Sequence, residues 1–149
     1  MGGSSFPRAV AQAARRVIAP APVRALALLA LTAAYLQGGF VKLVDFPAAV
    51  AEAAHFGLEP AAPVAALTIA VELGGAALVL SGVWRWLGAL GLAVFTLAAS
   101  FVANRFWGMP AGPERFMAAN AFFEHLGLAG AFVLVAWYDL ISSSREVRA

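Results

Sequence analysis

A single carboxylate, Glu72, lies near the middle of an otherwise uncharged apolar run at residues 63–84. Such a run can cross the hydrocarbon of a bilayer as a helix, which takes about 20 residues. A charged side chain at mid-bilayer costs roughly 2.5–3.5 kcal/mol on insertion scales, so it is normally paired, protonated or directed into a cavity. The position of Glu72 therefore predicts a membrane protein with a polar interior, and it does not by itself indicate the function of that interior.

The composition agrees with a membrane domain, because 62% of the residues are hydrophobic and only 12% are charged. A soluble domain would carry about 25% charged residues. Helical spans are expected, since a span must satisfy its own backbone polar groups. We predict an all-α, polytopic four-helix bundle in one domain at 25–138, with a basic segment before it at 1–24 and a polar tail after it at 139–149. The predicted spans are about 25–44, 63–84, 86–104 and 116–138.

The basic residues predict the topology of these spans. The more basic side of the predicted membrane carries Arg8, Arg15, Arg16, Arg24, Arg85, Arg145 and Arg148, and the other side carries Lys42, Arg105 and Arg115. Cytoplasmic loops carry the excess of Lys and Arg, so both termini are predicted to lie in the cytoplasm. The net charge of +2 is explained by this topology, and no nucleic-acid partner is expected.

The start of the chain also resembles a signal peptide with a small-residue cleavage site, and its Arg-rich, acid-free composition resembles an organellar transit peptide. The apolar run continues past Ala34 to Val44, which favours an uncleaved first span. The connection that follows is not a plain loop. Phe46 and Pro47 can open a short helix that Gly57 ends, and its apolar residues predict a position at the outer membrane interface.

Polar side chains recur at one depth of the predicted bundle. With a rise of about 1.5 Å per residue, Gln37, Glu72 and Glu124 reach a similar level on three spans, with Glu124 about 4–5 Å outward of its span's centre. The inner halves of the spans are almost wholly apolar, so the predicted cavity opens outward. The candidate pocket residues are Gln37, Lys42, Glu72, Asn104, Arg105, Asn120, Glu124 and His125.

A repeated spacing supports a polar interior. Thr68, Glu72 and Gly75 share a helix face, and Asn120, Glu124 and Gly127 repeat the pattern in the last span. This predicts two polar stripes flanked by glycine, where helices approach closely.

Each candidate also has a structural interpretation. Glu72 can pair with Lys42 or Arg105 only to fix helix packing, and Lys42 can extend to the interface as long basic side chains do. Glu124 and His125 are adjacent, so they point about 100° apart on a helix and cannot both face one small site.

The chain offers few groups for cofactor chemistry. It has no cysteine, which excludes thiol–disulfide exchange and cysteine-ligated clusters within these residues. Di-metal bundles need a Glu-x-x-His spacing on two helices, which is absent, and His55 and His125 are predicted too far apart in the fold for haem. No metal is expected, no catalytic residue is assigned, and catalysis by this chain alone is not expected.

Several motifs resemble those of the DoxX family of small four-helix membrane proteins. They are Gly38-Gly39-Phe40-Val41-Lys42, Val71-Glu72-Leu73-Gly74-Gly75, Gly82 with Arg85, Asn104-Arg105-Phe106-Trp107 and residues 120–130, and the resemblance covers about 24–140. It implies a bacterial cytoplasmic (inner) membrane protein, in some members linked to oxidoreductase systems that use quinone.

Three functions follow as hypotheses. The first is an accessory subunit of a membrane redox system, binding a quinone or a redox partner protein through the polar pocket. The second is a structural or assembly protein in which buried charges only fix packing, with a homo-oligomer as one form of partner. The third is a small proton- or solute-coupled carrier in which Glu72 and Glu124 share a proton.

Overall fold

The computed structural model describes residues 5–146, with side chains at 8–143, so the extreme ends of the predicted basic segment and polar tail lie outside the described residues. The described residues form six α-helices and one short 3₁₀ turn, and they contain no strand. The elements are α1 Ser5–Ile18, α2 Ala21–Val44, α3 Phe46–His55, α4 Ala61–Ser81, α5 Arg85–Ala103, the 3₁₀ turn Phe106–Gly108, and α6 Pro113–Glu146. The all-α prediction is confirmed.

Four of these helices, α2, α4, α5 and α6, are long and apolar enough to cross a membrane. Each packs against the next in chain order: α2 on α4, α4 on α5, and α5 on α6. The helices run antiparallel to their neighbours, which gives the bundle two ends. We call the end that carries α3 and the 3₁₀ turn the α3 end, and the end that carries the α4–α5 turn the Arg85 end. The prediction of a polytopic helical membrane protein is confirmed.

The short α3 forms where its sequence signals place it. The carboxylate of Asp45 accepts a hydrogen bond from the backbone N–H of Ala48 at 3.1 Å, which caps the helix N-terminus. Ala49 and Ala53 are buried on one side of α3, which packs against α4 and α2. The helix expected between the first two spans is therefore present, and it forms a wall of the bundle at this end.

Two elements differ from the sequence expectation. The last helix continues through Glu146 instead of ending near 138, because residues 131–146 contain no glycine or proline to stop it. The basic segment predicted at 1–24 had no predicted secondary structure, and part of it forms the helix α1. In α1, Arg8, Arg15 and Arg16 lie on one face, and Val10 and Val17 lie on the other.

The Arg85 half of the bundle holds the apolar core. Val79, Leu92 and Phe132 are fully buried there, and Tyr35 packs its ring edge-on against Phe132 at 5.4 Å. In a bilayer this packing acts through van der Waals contact, since lipid is as apolar as the core itself.

An ion pair fastens the α4–α5 turn to α6. Arg85 donates from Nε to the carbonyl of Val79 at 2.8 Å and from Nη1 to Asp139 Oδ1 at 3.5 Å. Asp139 Oδ2 accepts the backbone N–H of Trp86 at 3.2 Å. The turn itself relies on Gly82, whose φ of 81° lies in the left-handed region that glycine adopts without strain.

Helices α4 and α5 cross at two glycines. A Cβ added to Gly88 would lie 2.7 Å from the carbonyl oxygen of Gly75 and 2.7 Å from Cβ of Leu78. Both distances are shorter than atoms tolerate, so the two backbones approach as closely as glycine allows.

Gly88→Ala is therefore expected to lower the free energy of unfolding by about 1–3 kcal/mol through overpacking. The measurement is thermal unfolding of the purified protein in detergent micelles. Gly91→Ala is the matched control, because a Cβ at Gly91 would meet no atom within 4 Å. Equal unfolding temperatures for the two variants would contradict a close α4–α5 crossing at Gly88.

Candidate functional site

Glu72 forms an ion pair with Lys42. The ammonium Nζ lies 3.2 Å from Oε1 and 3.4 Å from Oε2 of Glu72, and the two side chains are 20% and 8% exposed. Lys42 lies in the last turn of α2, and Glu72 lies midway along α4. The sequence offered Lys42 and Arg105 as possible partners for Glu72. In the structure Glu72 pairs with Lys42 and not with Arg105.

Two glycines of α2 make this pairing feasible. A Cβ on Gly39 would lie 2.8 Å from the side chain of Leu73, so α2 and α4 are in close contact at this residue. A Cβ on Gly38 would lie 3.5 Å from Lys42 Nζ and 3.6 Å from Glu72 Oε1, at ordinary contact distance. Gly39 thus brings the helices together, and Gly38 leaves one side of the ion pair uncovered.

The uncovered side of the pair faces a cavity of about 470 Å³ in the α3 half of the bundle. All four long helices contribute to its lining, and α3 adds a further wall through residues such as Ala49 and Ala53. Most of the lining is apolar. The polar lining residues are Tyr35, Lys42, Glu52, Thr68, Glu72, Thr96 and His125.

The hydrogen bonds around the cavity determine which polar groups remain available. The hydroxyl of Thr96 donates to the carbonyl of Leu92 at 2.5 Å, so the hydrogen bond between Tyr35 and Thr96 uses the phenol proton of Tyr35. The Tyr35 oxygen keeps a lone pair as an acceptor. Thr68 makes no hydrogen bond to any residue that the structure describes, so its hydroxyl is also available.

His125 is held in one tautomer. Its Nδ1 lies 2.6 Å from the carbonyl oxygen of Ala121, and a carbonyl can only accept. Nδ1 must therefore carry the proton, which leaves Nε2 as an acceptor in the neutral ring. His125 is partly buried and lines the cavity. The cavity thus combines a cationic donor at Lys42 with acceptors at Glu72, Tyr35 and His125.

The other predicted pocket residues do not line this cavity. Gln37, Arg105, Asn120 and Glu124 are exposed on the outside of the bundle, and Asn104 is partly buried with its amide 3.4 Å from the hydroxyl of Ser100. This corrects the expectation of a polar layer shared by three helices. The rise per residue fixes the depth of a side chain along a helix, but it does not fix the direction in which that side chain points.

The two polar stripes are likewise not equivalent. Gly75 faces α5, where an added Cβ would lie 2.8 Å from Leu92, so the stripe through Glu72 faces the interior. An added Cβ at Gly127 would meet no atom within 4 Å, and Glu124 makes no ion pair with any described residue. The stripe through Glu124 therefore faces outward. Its neighbour His125 faces the cavity instead, as their angular separation on the helix requires.

The cavity includes groups that the sequence did not single out. Tyr35 lies one and two turns before Gly38 and Lys42 on the same face of α2, a spacing that could have revealed it. Thr96 gave no such signal, because a hydroxyl in an apolar helix commonly bonds its own backbone.

His55 has its ring against Phe56 and does not line the cavity. In the described part of the chain, no group of three acidic or histidine side chains is arranged to hold a metal ion.

The ion pair predicts non-additive effects on stability. Lys42→Met and Glu72→Leu should each lower the unfolding temperature, because each leaves an uncompensated charge in a largely buried site. The double variant should lose less than the sum of the two, with a coupling energy of about 1–3 kcal/mol in a double-mutant cycle measured by thermal unfolding in micelles.

Lys42→Met with Glu124→Leu is the matched control cycle, since Glu124 is exposed and has no ion-pair partner among the described residues. These two changes should be additive. Additive losses in the Lys42–Glu72 cycle would mean that the pair contributes nothing to the fold.

Comparison with known proteins adds a family to this geometry. The family model described as DoxX matches residues 25–105, which is more than half of the chain. The match covers all but the first four residues of α2 and continues through α5, so it includes both partners of the ion pair, while α6 with His125 lies outside it. Neither the curated proteins nor the solved structures include a match to this chain. The chain belongs to the DoxX family.

Proposed function

We propose that this DoxX-family protein is an accessory membrane subunit of a quinone-linked redox system, and that the cavity at the α3 end binds the quinone head group. The observation that carries the proposal is the Lys42–Glu72 ion pair, which lies within the spans and has one side on a mostly apolar cavity. A pair that served packing alone would have no need of that open side. Its volume of about 470 Å³ falls within the range of about 300–1,000 Å³ typical of small-molecule pockets.

The groups on the wall fit the oxygens of a quinone. A quinone carbonyl accepts hydrogen bonds, and the hydroxyl of the reduced form donates them. Lys42 supplies a cationic donor, because its ammonium has three protons and, among the described residues, bonds only to the carboxylate of Glu72. Glu72, Tyr35 and His125 supply acceptor lone pairs. Both oxidation states therefore find partners in one cavity.

When bound, a quinone supplies reversible transfer of two electrons and two protons. The part of the chain is to bind the head group and manage charge. Lys42 Nζ stabilises negative charge on the oxygen that it contacts, and the carboxylate of Glu72 or Nε2 of His125 can hold a proton taken from a hydroxyl. The Ala121 carbonyl supports the histidine by fixing its tautomer.

In this proposal the redox partner is a separate protein. No cysteine is present in these residues, so neither a thiol nor a cysteine-ligated cluster can exchange electrons with the cavity from within them. The proposed orientation follows the excess of basic residues: the Arg85 end faces the bacterial cytoplasm, and the cavity lies near the outer face of the inner membrane. A partner that reaches the cavity would then approach from the side of α3.

A structural or assembly role is the second candidate. It is favoured by the ion pair itself, and by the finding that no buried polar side-chain atom among the described residues lacks a hydrogen bond. The carrier hypothesis finds no such support. It requires Glu72 and Glu124 to share a proton, and Glu124 lies outside the cavity.

The test is binding of a short-chain benzoquinone to the protein in lipid nanodiscs, together with extraction and mass-spectrometric quantification of quinones that co-purify. Glu72→Gln should weaken binding about tenfold, a loss of about 1.4 kcal/mol, because the Lys42 ammonium loses its charged partner. Glu124→Gln removes a span carboxylate outside the cavity and should bind as the wild type does.

Stoichiometric quinone in the wild type that is lost in Glu72→Gln and kept in Glu124→Gln would support the redox role. Absence of quinone from every sample, with the same protein partner retained throughout, would overturn it in favour of the structural role.

A further inference from the structure

A second cleft lies at the opposite end of the bundle, between α2 and α6, with a volume of about 790 Å³. Arg24 and Leu28 contribute from α2, Arg85 from the start of α5, and residues between Leu134 and Ser143 from α6. None of these residues lines the cavity at the α3 end. The cleft is therefore separate from the proposed quinone site, and nothing argued about that site depends on it.

The cleft has a polar part and an apolar part. The polar part lies at the helix ends: Arg24 is near the start of α2, Arg85 is at the start of α5, and Ser142 is where α6 leaves the apolar run. The apolar part lies one to two turns deeper and contains Leu28 and Leu134. Trp137 and Tyr138 come between Leu134 and Ser142 on α6, and both are exposed. Exposed aromatic side chains near the end of a span mark the boundary between hydrocarbon and headgroups. A molecule that fills both parts must have a polar head and an apolar tail.

The charges of the cleft favour an anionic head. Arg85 forms an ion pair with Asp139, so the charges of these two side chains offset each other. Arg24 is exposed and makes no ion pair or hydrogen bond through its side chain to any residue from 8 to 143. The cleft therefore has one uncompensated guanidinium, with a second guanidinium and the Ser142 hydroxyl beside it. Guanidinium groups bind phosphate through paired N–H donors.

Helix α1 gives a separate indication of the same ligand. Arg8, Arg15 and Arg16 share one face, while Val10 and Val17 on the other face are 54% and 71% exposed. A basic amphipathic helix of this kind lies on a membrane surface that contains anionic lipid, with its apolar face in the acyl boundary. Only two residues separate α1 from α2, so the membrane surface on which α1 would lie is at the level of Arg24, near the start of α2.

We propose that the α2–α6 cleft binds one anionic phospholipid, with its phosphate on Arg24 and Arg85 and an acyl chain along Leu28 and Leu134. The α1 helix lies on the same leaflet and enriches anionic lipid at the rim of the cleft. Basic pockets between spans are a recurrent type of lipid headgroup site. The bound lipid would close the seam between α2 and α6, which do not pack closely along their length in the way that α5 and α6 do.

The test is native mass spectrometry of the full-length protein, delipidated in mild detergent and titrated with phosphatidylglycerol or phosphatidylcholine. The wild type should retain phosphatidylglycerol preferentially. Arg24→Gln should weaken that retention about fivefold, the effect of one interfacial arginine, and it should fold normally because the Arg24 side chain bonds no residue from 8 to 143. Arg115→Gln removes an exposed arginine at the α3 end and is the matched control.

Asp139→Asn provides a change in the opposite direction. The asparagine oxygen can still accept the N–H of Trp86, while the charge that offsets Arg85 is removed, so retention of phosphatidylglycerol should rise. Equal retention of the two lipids, or equal losses in Arg24→Gln and Arg115→Gln, would overturn the proposal. Displacement of the lipid by millimolar inorganic phosphate would also overturn it, because it would identify a site for a free anion.

Discussion

The ion pair between Lys42 and Glu72 is the constraint on which the α3 half of the molecule depends. A carboxylate midway along an apolar helix needs a partner, and the partner is supplied from the end of α2 across two glycines. This requirement fixes the rotation of α2 and α4 relative to each other. It also explains why Gly39 packs against Leu73, since only a close approach of the helices lets the lysine reach.

The two halves of the bundle use different means to hold the same helices. At the Arg85 end, a core of small and branched side chains is buried, and Arg85 and Asp139 bind the α4–α5 turn to α6. At the α3 end, the helices surround a cavity instead, and five polar side chains on its wall are oriented by bonds to backbone or to each other, namely Tyr35, Lys42, Glu72, Thr96 and His125. A rigid core at one end thus allows an open site at the other without loss of the fold.

The sequence predicted the elements of this structure better than their rotation. Long apolar runs and the signals at Phe46, Pro47 and Gly57 were sufficient to place the spans and α3. The helix α1 was missed because its arginines were interpreted as topology or targeting signals, although their spacing puts them on one face. Of the eight candidate pocket residues, Lys42, Glu72 and His125 line the cavity. Depth along a span follows from residue number, but the choice between Glu124 and His125 depends on how α6 is turned against α5, which only tertiary packing decides.

The central claim is that a ligand with a quinone head occupies the cavity beside the Lys42–Glu72 pair. The most direct measurement is photo-crosslinking with an azido-benzoquinone in native membranes, followed by peptide mapping. Labels are expected on α3 and on the cavity-facing parts of α4 and α5, and an excess of unlabelled quinone should reduce them. Labels confined to the lipid-facing surfaces or to the Arg85 end, or insensitive to that competition, would contradict it.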